Sequence, residues 1–348
     1  MSRSAVATRD DSESPLISVV IPIRNEGRYI ADTLTQLLSQ QYPPNRVEFL
    51  VCDGRSDDQT REIVREIANS DARVKLIDNP GRRSSVGRNL GFRASSGDLV
   101  LVIDGHVQIP DDRLLDAVAD LFARSGADCL GRPQPLIAAP NSPWADAIVA
   151  ARSSWLGHNP NSMIYSDAEC FAPAATIGAA YRPSVFARVG YVDEGFDACE
   201  DLEFNTRLDL AGLRCFTSPR LTVRYFARDT LTALFKQQYR YGYGRFKYLS
   251  RYPSKGTVAQ LAPPGLVAAT CWALASPWLP LPIAALPLVG LSLYLAVVAI
   301  AAGQLAGRTS GRGFARCLLV FVTIHYAVGC GYWKAFGNWR NWRSRRER

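Results

Sequence analysis

Between Gly256 and Gly307 the chain carries no charged residue at all. That stretch is too long for one membrane span and has the length of two apolar helices of about 20 residues each. Pro277, Pro280 and Pro282 mark the turn between them. A basic connector with Arg308, Arg312 and Arg316 follows, and then a second uncharged run, Cys317 to Trp333, at the short limit for a span. Residues 258–338 are therefore expected to form a membrane region of two to three helices, ahead of a basic tail at 339–348. A buried helical hairpin of a soluble protein is the competing reading. Connector and tail are both basic and should both face the cytoplasm, which three full crossings cannot arrange. Either the third segment is re-entrant or interfacial, or the rule fails at one end.

Before about Pro253 the pattern is different: charges are dense and apolar runs have the length of strands. The 348 residues carry a net charge of +8, and eight cysteines occur without any C-x-x-C pair. Cys52, Cys129 and Cys215 stand in apolar, strand-like surroundings, where cysteine acts as a small hydrophobe. Reduced thiols in a cytosolic compartment are expected, rather than a disulfide framework or a zinc site. Met1 to Pro15 is polar, lacks the apolar core of a cleavable signal and reads as a disordered tail.

The first hundred residues alternate strand and amphipathic helix. Strands are expected at Ile17–Ile23, Val47–Cys52, Val74–Ile77 and Leu99–Ile103. Helices are expected at Arg28–Gln40, at Asp58–Asn69 with Asp57 as cap, and at Ser84–Ser95. That order implies an α/β fold with a mostly parallel sheet and helices on both faces. Neither G-x-G-x-x-G after the first strand nor G-x-x-x-x-G-K-S/T occurs, which excludes the dinucleotide and P-loop fingerprints.

Polar residues instead gather where the strands end: Arg24-Asn25-Glu26, Asp53 to Asp58, and Asp104-Gly105-His106. Ligands of open α/β sheets bind beyond those carboxyl ends. Asp104 and His106 are two positions apart, so in extended backbone both can point into one crevice. A carboxylate with an imidazole there suits a divalent ion that holds a phosphate. An Asp-Gly turn is the plain alternative. Asp57 reads as a turn or cap residue, whereas Asp53 directly ends a buried strand.

The runs Ser18-Val-Val-Ile-Pro-Ile-Arg-Asn-Glu26, Asp53-Gly-Arg-Ser-Asp-Asp58, Gly87-Arg-Asn-Leu-Gly91 and Asp104-Gly105-His106 resemble the nucleotide-binding half of family 2 inverting glycosyltransferases. The resemblance continues through Gly178-Ala-Ala-Tyr-Arg182, Gly190-Tyr-Val-Asp-Glu194 and Glu200-Asp-Leu-Glu-Phe-Asn205 and covers roughly residues 16 to 250. It is most like the succinoglycan-type exopolysaccharide glucosyltransferases. It implies a GT-A fold over 16–228, a mixed, mostly parallel sheet flanked by helices, followed by C-terminal transmembrane helices. Donor-site roles are implied for Pro22, Arg24 and Glu26 beside the nucleotide and for Asp53 as acceptor of a hydrogen bond from a uracil-like base. Arg88 would approach the base or diphosphate, and Asp104 would face ribose and metal. His106 stands where most of the family has a second metal-binding aspartate, so the implied cofactor, Mn2+ or Mg2+, would sit at Asp104 and His106. Asp201, paired with Glu200, would be the general base.

The chemistry agrees. Inverting transfer needs one carboxylate to deprotonate the acceptor hydroxyl as it attacks in line. The departing nucleoside diphosphate needs its growing charge neutralised by a metal ion and arginines. Adjacent Glu200 and Asp201 facing one cleft would oppose each other's ionisation, which suits a base. An acid-rich helix N-terminus is the alternative reading. Gly178, Glu203 and Arg240 are assigned to the acceptor side, with a solvated helix face as the alternative for Glu203. His158 reads as an exposed loop residue and His325 as a packing or interhelical hydrogen-bonding group.

Residues 229–257 interleave Lys236, Arg240, Arg245, Lys247, Arg251 and Lys255 with aromatic residues. Directly before a membrane segment such a strip fits an interfacial helix on anionic headgroups, and not a nucleic-acid partner. The processive Gln-x-x-Arg-Trp signature is matched only loosely by Gln237-Gln238-Tyr239-Arg240-Tyr241, with Tyr in place of Trp. Addition of a single sugar, from a UDP-hexose, to a polyprenyl-linked glycan at the inner or plasma membrane is therefore expected, with the catalytic domain in the cytoplasm. A polyprenyl-phosphate sugar synthase is the alternative, and Trp155 to Ala175 would decide between them. A non-catalytic membrane scaffold with a degenerate transferase domain is the reading from another class.

Overall fold

The computed structural model describes residues 14–159, 162–278, 280–307 and 313–339. The expected N-terminal tail up to residue 13, the connector arginines Arg308 and Arg312 and the basic tail from residue 340 lie outside the described residues. The first elements are β1 (Ile17–Ile23), α1 (Ile30–Leu38), β2 (Val47–Asp53), α2 (Thr60–Ser70), β3 (Val74–Asp78), α3 (Ser84–Ala94) and β4 (Leu99–Val102). Then follow β5 (Val107–Gln108), α4 (Leu114–Ser125), β6 (Cys129–Gly131), β7 (Leu136–Ile137), α5 (Ala145–Arg152), β8 (Cys170–Ala172), β9 (Gly178–Tyr181) and α6 (Pro183–Val189). The last are α7 (Glu200–Leu210), β10 (Cys215–Thr217), β11 (Arg224–Phe226), α8 (Leu231–Arg251), α9 (Ala262–Ala275), α10 (Leu281–Ala306) and α11 (Gly313–Gly337).

Contacts divide the chain into two compact units. The first comprises residues up to Pro135, Met163–Gly195 and Asp201–Tyr225; the second comprises Leu136–Ser162, Phe196–Glu200 and everything from Phe226.

The first unit is built on an eight-stranded sheet in the order β3-β2-β1-β4-β9-β6-β10-β8. Strands β3, β2, β1 and β4 run parallel, β9 runs against both β4 and β6, and β6 is parallel to β10. Strands β4 and β6 therefore end at the same edge, although β9 lies between them. Every residue of β1, β2 and β4 is buried, as a sheet covered on both faces requires. Cys52 is packed in that core, where burial pushes its thiol up to about 12. Helix α2 begins at Thr60, two residues later than expected. The carboxylate that meets its first N–H is Asp58, 3.0 Å from the Thr60 nitrogen, and not the expected Asp57, whose own N–H donates to Asn25 Oδ1 at 3.0 Å.

Among the described residues of the second unit, three helices are long and apolar enough to cross a membrane: Val258–Trp278, Leu281–Ala306 and Gly313–Gly337. The third exceeds the span expected from the uncharged run, because helix continues through flanking Gly, Phe and Arg at one end and Lys334 at the other. Helix α8 does not lie alone as an interfacial strip. It packs along α11 at glycines: a Cβ on Gly242 would stand 2.0 Å from the Val328 carbonyl, and one on Gly331 2.0 Å from the Tyr239 carbonyl. Lys247, expected to face headgroups, is buried with its ammonium 4.7 Å from the Phe196 ring centroid, where a cation is attracted to the aromatic face. His325 joins the helices as expected, with Nδ1 3.1 Å from the Tyr294 hydroxyl and Nε2 3.2 Å from the Leu156 carbonyl.

Candidate active site

Parallel strands deliver their last residues to one edge. Ile23 is level with Asp53, and Asp53 with Asp78, across β1, β2 and β3. Asp53 is fully buried. Its Oδ1 accepts from the Ser56 hydroxyl at 2.5 Å, and its Oδ2 pairs with Arg61 Nη1 at 2.9 Å. The same Arg61 nitrogen reaches Asp78 Oδ1 at 2.9 Å. Ser56 in turn accepts from the Asn25 N–H at 2.9 Å. Asp53, expected to meet a base, thus already fastens its own loop to the turn after β1.

Helix α3 is pressed onto β1 and β2 by glycines. A Cβ on Gly91 would stand 2.2 Å from Val20 Cγ1, and one on Gly87 3.2 Å from the Pro22 Cβ. This close approach aims Arg88 at the rim, with Nη2 3.8 Å from Asp104 Oδ1. The buried Asn89 fastens the other side of α3: its Oδ1 accepts from the Val192 N–H at 3.0 Å, and its Nδ2 donates to Glu194 Oε1 at 2.8 Å.

Asp104 is the electrostatic centre of the rim. Burial raises its carboxyl, but Arg88, His106, Arg132 and a hydrogen bond from the Tyr225 hydroxyl outweigh that and hold it below the usual carboxylate value. Tyr225 arrives because β11 pairs antiparallel with β5, placing Tyr225 opposite Val107. Its hydroxyl also accepts from Arg132 Nη2 at 2.7 Å. His106 turns its Nδ1 to Glu26 Oε1 at 2.9 Å. With the proton on Nδ1, the Nε2 lone pair is the one left for coordination.

Among the described residues no three or more His, Cys, Asp or Glu side chains gather into a cage for a metal ion. Asp104 and His106 nevertheless offer a hard oxygen and an imidazole, with Glu26 orienting the ring. That donor set fits a divalent ion whose remaining ligands come from a diphosphate, and the imidazole favours Mn2+ over Mg2+.

Beyond β4 the rim continues through β9 and α7. Asp201 is exposed at the N-terminal turn of α7, and its Oδ1 accepts the Leu202 N–H at 2.7 Å. Glu200 is buried, so the two adjacent carboxyls do not share a surface. Consecutive helical residues point about 100° apart. Asp201 and Arg88 both act on the Tyr181 hydroxyl, which burial and Cys129 raise above its ordinary pKa. That hydroxyl lies 3.0 Å from Asn205 Oδ1, and Asn205 Nδ2 donates to the Gly178 carbonyl at 2.9 Å. Gly178 is hence backed by Asn205. Glu203 is on no solvated face: it is fully buried and pairs with Arg207 at 3.1 Å, and Arg207 donates to the Tyr191 carbonyl at 2.7 Å. In the second unit, Arg240 pairs with Asp197 at 3.1 Å. His158 lies with Nδ1 3.1 Å from the Ser154 carbonyl. Pro22 is buried and Arg24 exposed, both at the carboxyl end of β1.

Sequence reasoning gave no role to Arg132, Tyr225, Asn89 or Tyr181, although Asn89 and Tyr181 stand inside the 87–91 and 178–182 runs. Arg132 carried a weaker local signal, since it directly follows a strand as Asp104 nearly does. Tyr225 owes its place to a pairing across more than a hundred residues.

Two family models match the chain: "Glycosyl transferase family 2" over residues 18–168 and "Glycosyl transferase family group 2" over 99–334. Succinoglycan biosynthesis protein ExoA of Rhizobium meliloti is 32% identical over 256 residues, 73% of this chain and 76% of that protein. A dolichyl N-acetyl-alpha-D-glucosaminyl phosphate 3-beta-D-2,3-diacetamido-2,3-dideoxy-beta-D-glucuronosyltransferase of Methanococcus voltae is 23% identical over 235 residues, 65% of this chain and 71% of that protein. Among solved structures, the mannosyltransferase PcManGT from Pyrobaculum calidifontis, in complex with GDP-Man and Mn2+, superimposes with a TM-score of 0.60 at 19% identity. The match covers 94% of this chain and 89% of that one, a likeness of fold, GT-A.

Proposed function

The chain belongs to glycosyltransferase family 2, and on that premise we propose a membrane-bound inverting enzyme that moves one sugar from a nucleoside-diphosphate sugar to a lipid-linked glycan. A UDP-hexose is the proposed donor. The observation that carries this reading is the rim around Asp104, where a carboxylate, the Glu26-oriented His106 and Arg88 converge at the carboxyl edge of the sheet. A strand edge with an arginine and two metal-competent side chains is suited to a diphosphate.

In this mechanism Asp201 takes the proton from the acceptor hydroxyl as the oxygen attacks the anomeric carbon, and its exposure leaves it open to an acceptor. Arg88 faces the diphosphate as charge grows on the leaving oxygen. Asp53, with Ser56 and Arg61, holds the loop that would border the base. A divalent ion at Asp104 and His106, Mn2+ by preference, would supply further neutralisation of the leaving diphosphate. The lipid-linked acceptor is supported by the Methanococcus voltae relative, named for a dolichyl-phosphate-linked substrate, and by the three span-length helices. We assign the catalytic domain to the cytoplasmic side, a reading supported by its free cysteines.

Purified protein in detergent, with Mn2+ or Mg2+ and a lipid extract, should release nucleoside diphosphate from one member of a nucleotide-sugar panel. No release from any donor would sink the assignment. Asp201→Asn should lower turnover by about 10²–10⁴-fold while donor binding is retained.

A further inference from the structure

Arg132 is 3% exposed, and its Nε and Nη1 have no hydrogen-bond partner among the described residues. Its Nη2 donates to the neutral Tyr225 hydroxyl at 2.7 Å, and its guanidinium carbon lies 5.4 Å from the centroid of that ring. No described carboxylate stands within ion-pair distance of it. Asp104 feels the Arg132 charge but bonds to it only by way of the tyrosine hydroxyl, which links the two. A buried cation with open N–H groups is costly unless an anion completes it, and a guanidinium fork matches phosphoryl oxygens in particular.

The topology says where that anion would lie. Arg132 follows β6, whose carboxyl end shares the edge used by β2 and β4. With strands about 4.8 Å apart, β6 is about 10 Å from β4, on the side away from Asp53 and β2. The rim thus reads base side, metal side, then Arg132.

Resting on the glycosyltransferase reading, we propose that Arg132 is a phosphoryl-binding residue, completed by a substrate phosphate at the acceptor end of the rim. Two substrates carry that chemistry: the donor, through its sugar-proximal phosphate, and a polyprenyl-phosphate or diphosphate acceptor. Tyr225 couples the site to Asp104, so an arriving phosphate and the metal-side carboxylate share one hydrogen-bonded chain.

The test compares full-length Arg132→Gln and Arg132→Lys with the parent protein in detergent, with thermal unfolding as the control for folding. Binding of UDP and GDP is measured against UMP and GMP, and binding of farnesyl phosphate against farnesol in mixed micelles. Loss of the parent's preference for the phosphate-bearing member of either comparison, by roughly 10- to 100-fold in Arg132→Gln and less in Arg132→Lys, supports the proposal. Loss in the nucleotide arm assigns the donor, and loss in the prenyl arm the acceptor. A folded Arg132→Gln that keeps both preferences overturns it. If Arg132→Gln does not fold, Arg132→Lys alone decides, since it keeps the charge and removes the fork; unchanged preferences there overturn the proposal too. A parent protein that binds no nucleotide and turns over no donor instead sinks the underlying reading, and is told apart by the parent's own behaviour.

Discussion

A Cβ on Gly105 would stand 2.7 Å from Ile23 Cγ2 and 3.0 Å from Glu26 Cγ. The glycine of the Asp-Gly-His turn is therefore required by the packing of the turn after β1, quite apart from turn propensity, and that packing lets Glu26 reach His106. A carboxylate that holds the far nitrogen of a metal-binding histidine raises its basicity and fixes its tautomer. Glu26→Gln should weaken Mn2+ activation by about 10- to 100-fold, as read from Mn2+ titrations of turnover. Should His106→Ala leave the Mn2+ titration unchanged, the imidazole is not a ligand. The type and rim position of Asp104 and His106 were legible in the sequence, because strand periodicity and a terminal carboxylate are local signals. The Glu26–His106 bond was not, because its partners lie 80 residues apart.

At the scale of elements, one carboxylate closes the amino ends of the strands, opposite the site. Glu48 accepts from Ser18 Oγ at 2.6 Å, from the Ser96 N–H at 2.8 Å and from Lys75 Nζ at 2.7 Å. Burial alone would raise its pKa, but Lys75 and the Ser18 and Ser96 bonds bring it down to about 2. Since the folded value lies below the unfolded one, this stabilisation is complete above about pH 4.5 and is lost as pH falls from there toward 2. Glu48→Gln should cost about 2–3 kcal/mol at pH 7 and flatten the acid limb of stability, seen in urea unfolding of the solubilised protein across that range. In the second unit, Gly331→Leu should drive α11 off α8 and lower the melting temperature by several degrees, the effect of about 1–3 kcal/mol of overpacking. An unchanged melting temperature would mean the two backbones do not meet at Tyr239. The basic-aromatic strip was legible as a helix, but its inward residues were not, since glycines that admit a neighbouring backbone look in sequence like breaks in a pattern.

For the whole molecule, the three span-length helices predict that the protein stays with membranes through an alkaline carbonate wash, and release into the supernatant would contradict them. Proteolysis of the catalytic domain should occur in inverted vesicles and be blocked in right-side-out ones if that domain faces the cytoplasm. The sequence by itself determined the division into a strand-helix half and an uncharged half, and the series of polar strand ends along one rim. Both follow from periodicity and hydropathy, which a contiguous stretch of chain carries within itself. Tertiary structure alone decided which polar groups are satisfied and by what. It buried Glu203 against Arg207, engaged Asp53 with Arg61 and left two nitrogens of Arg132 without a partner among the described residues, beside Tyr225, 93 residues away. The Arg132–Tyr225 pairing depends on how distant strands are ordered across the sheet, which no local pattern of residues encodes, and the burial of the local Glu203–Arg207 and Asp53–Arg61 pairs depends on what packs over them.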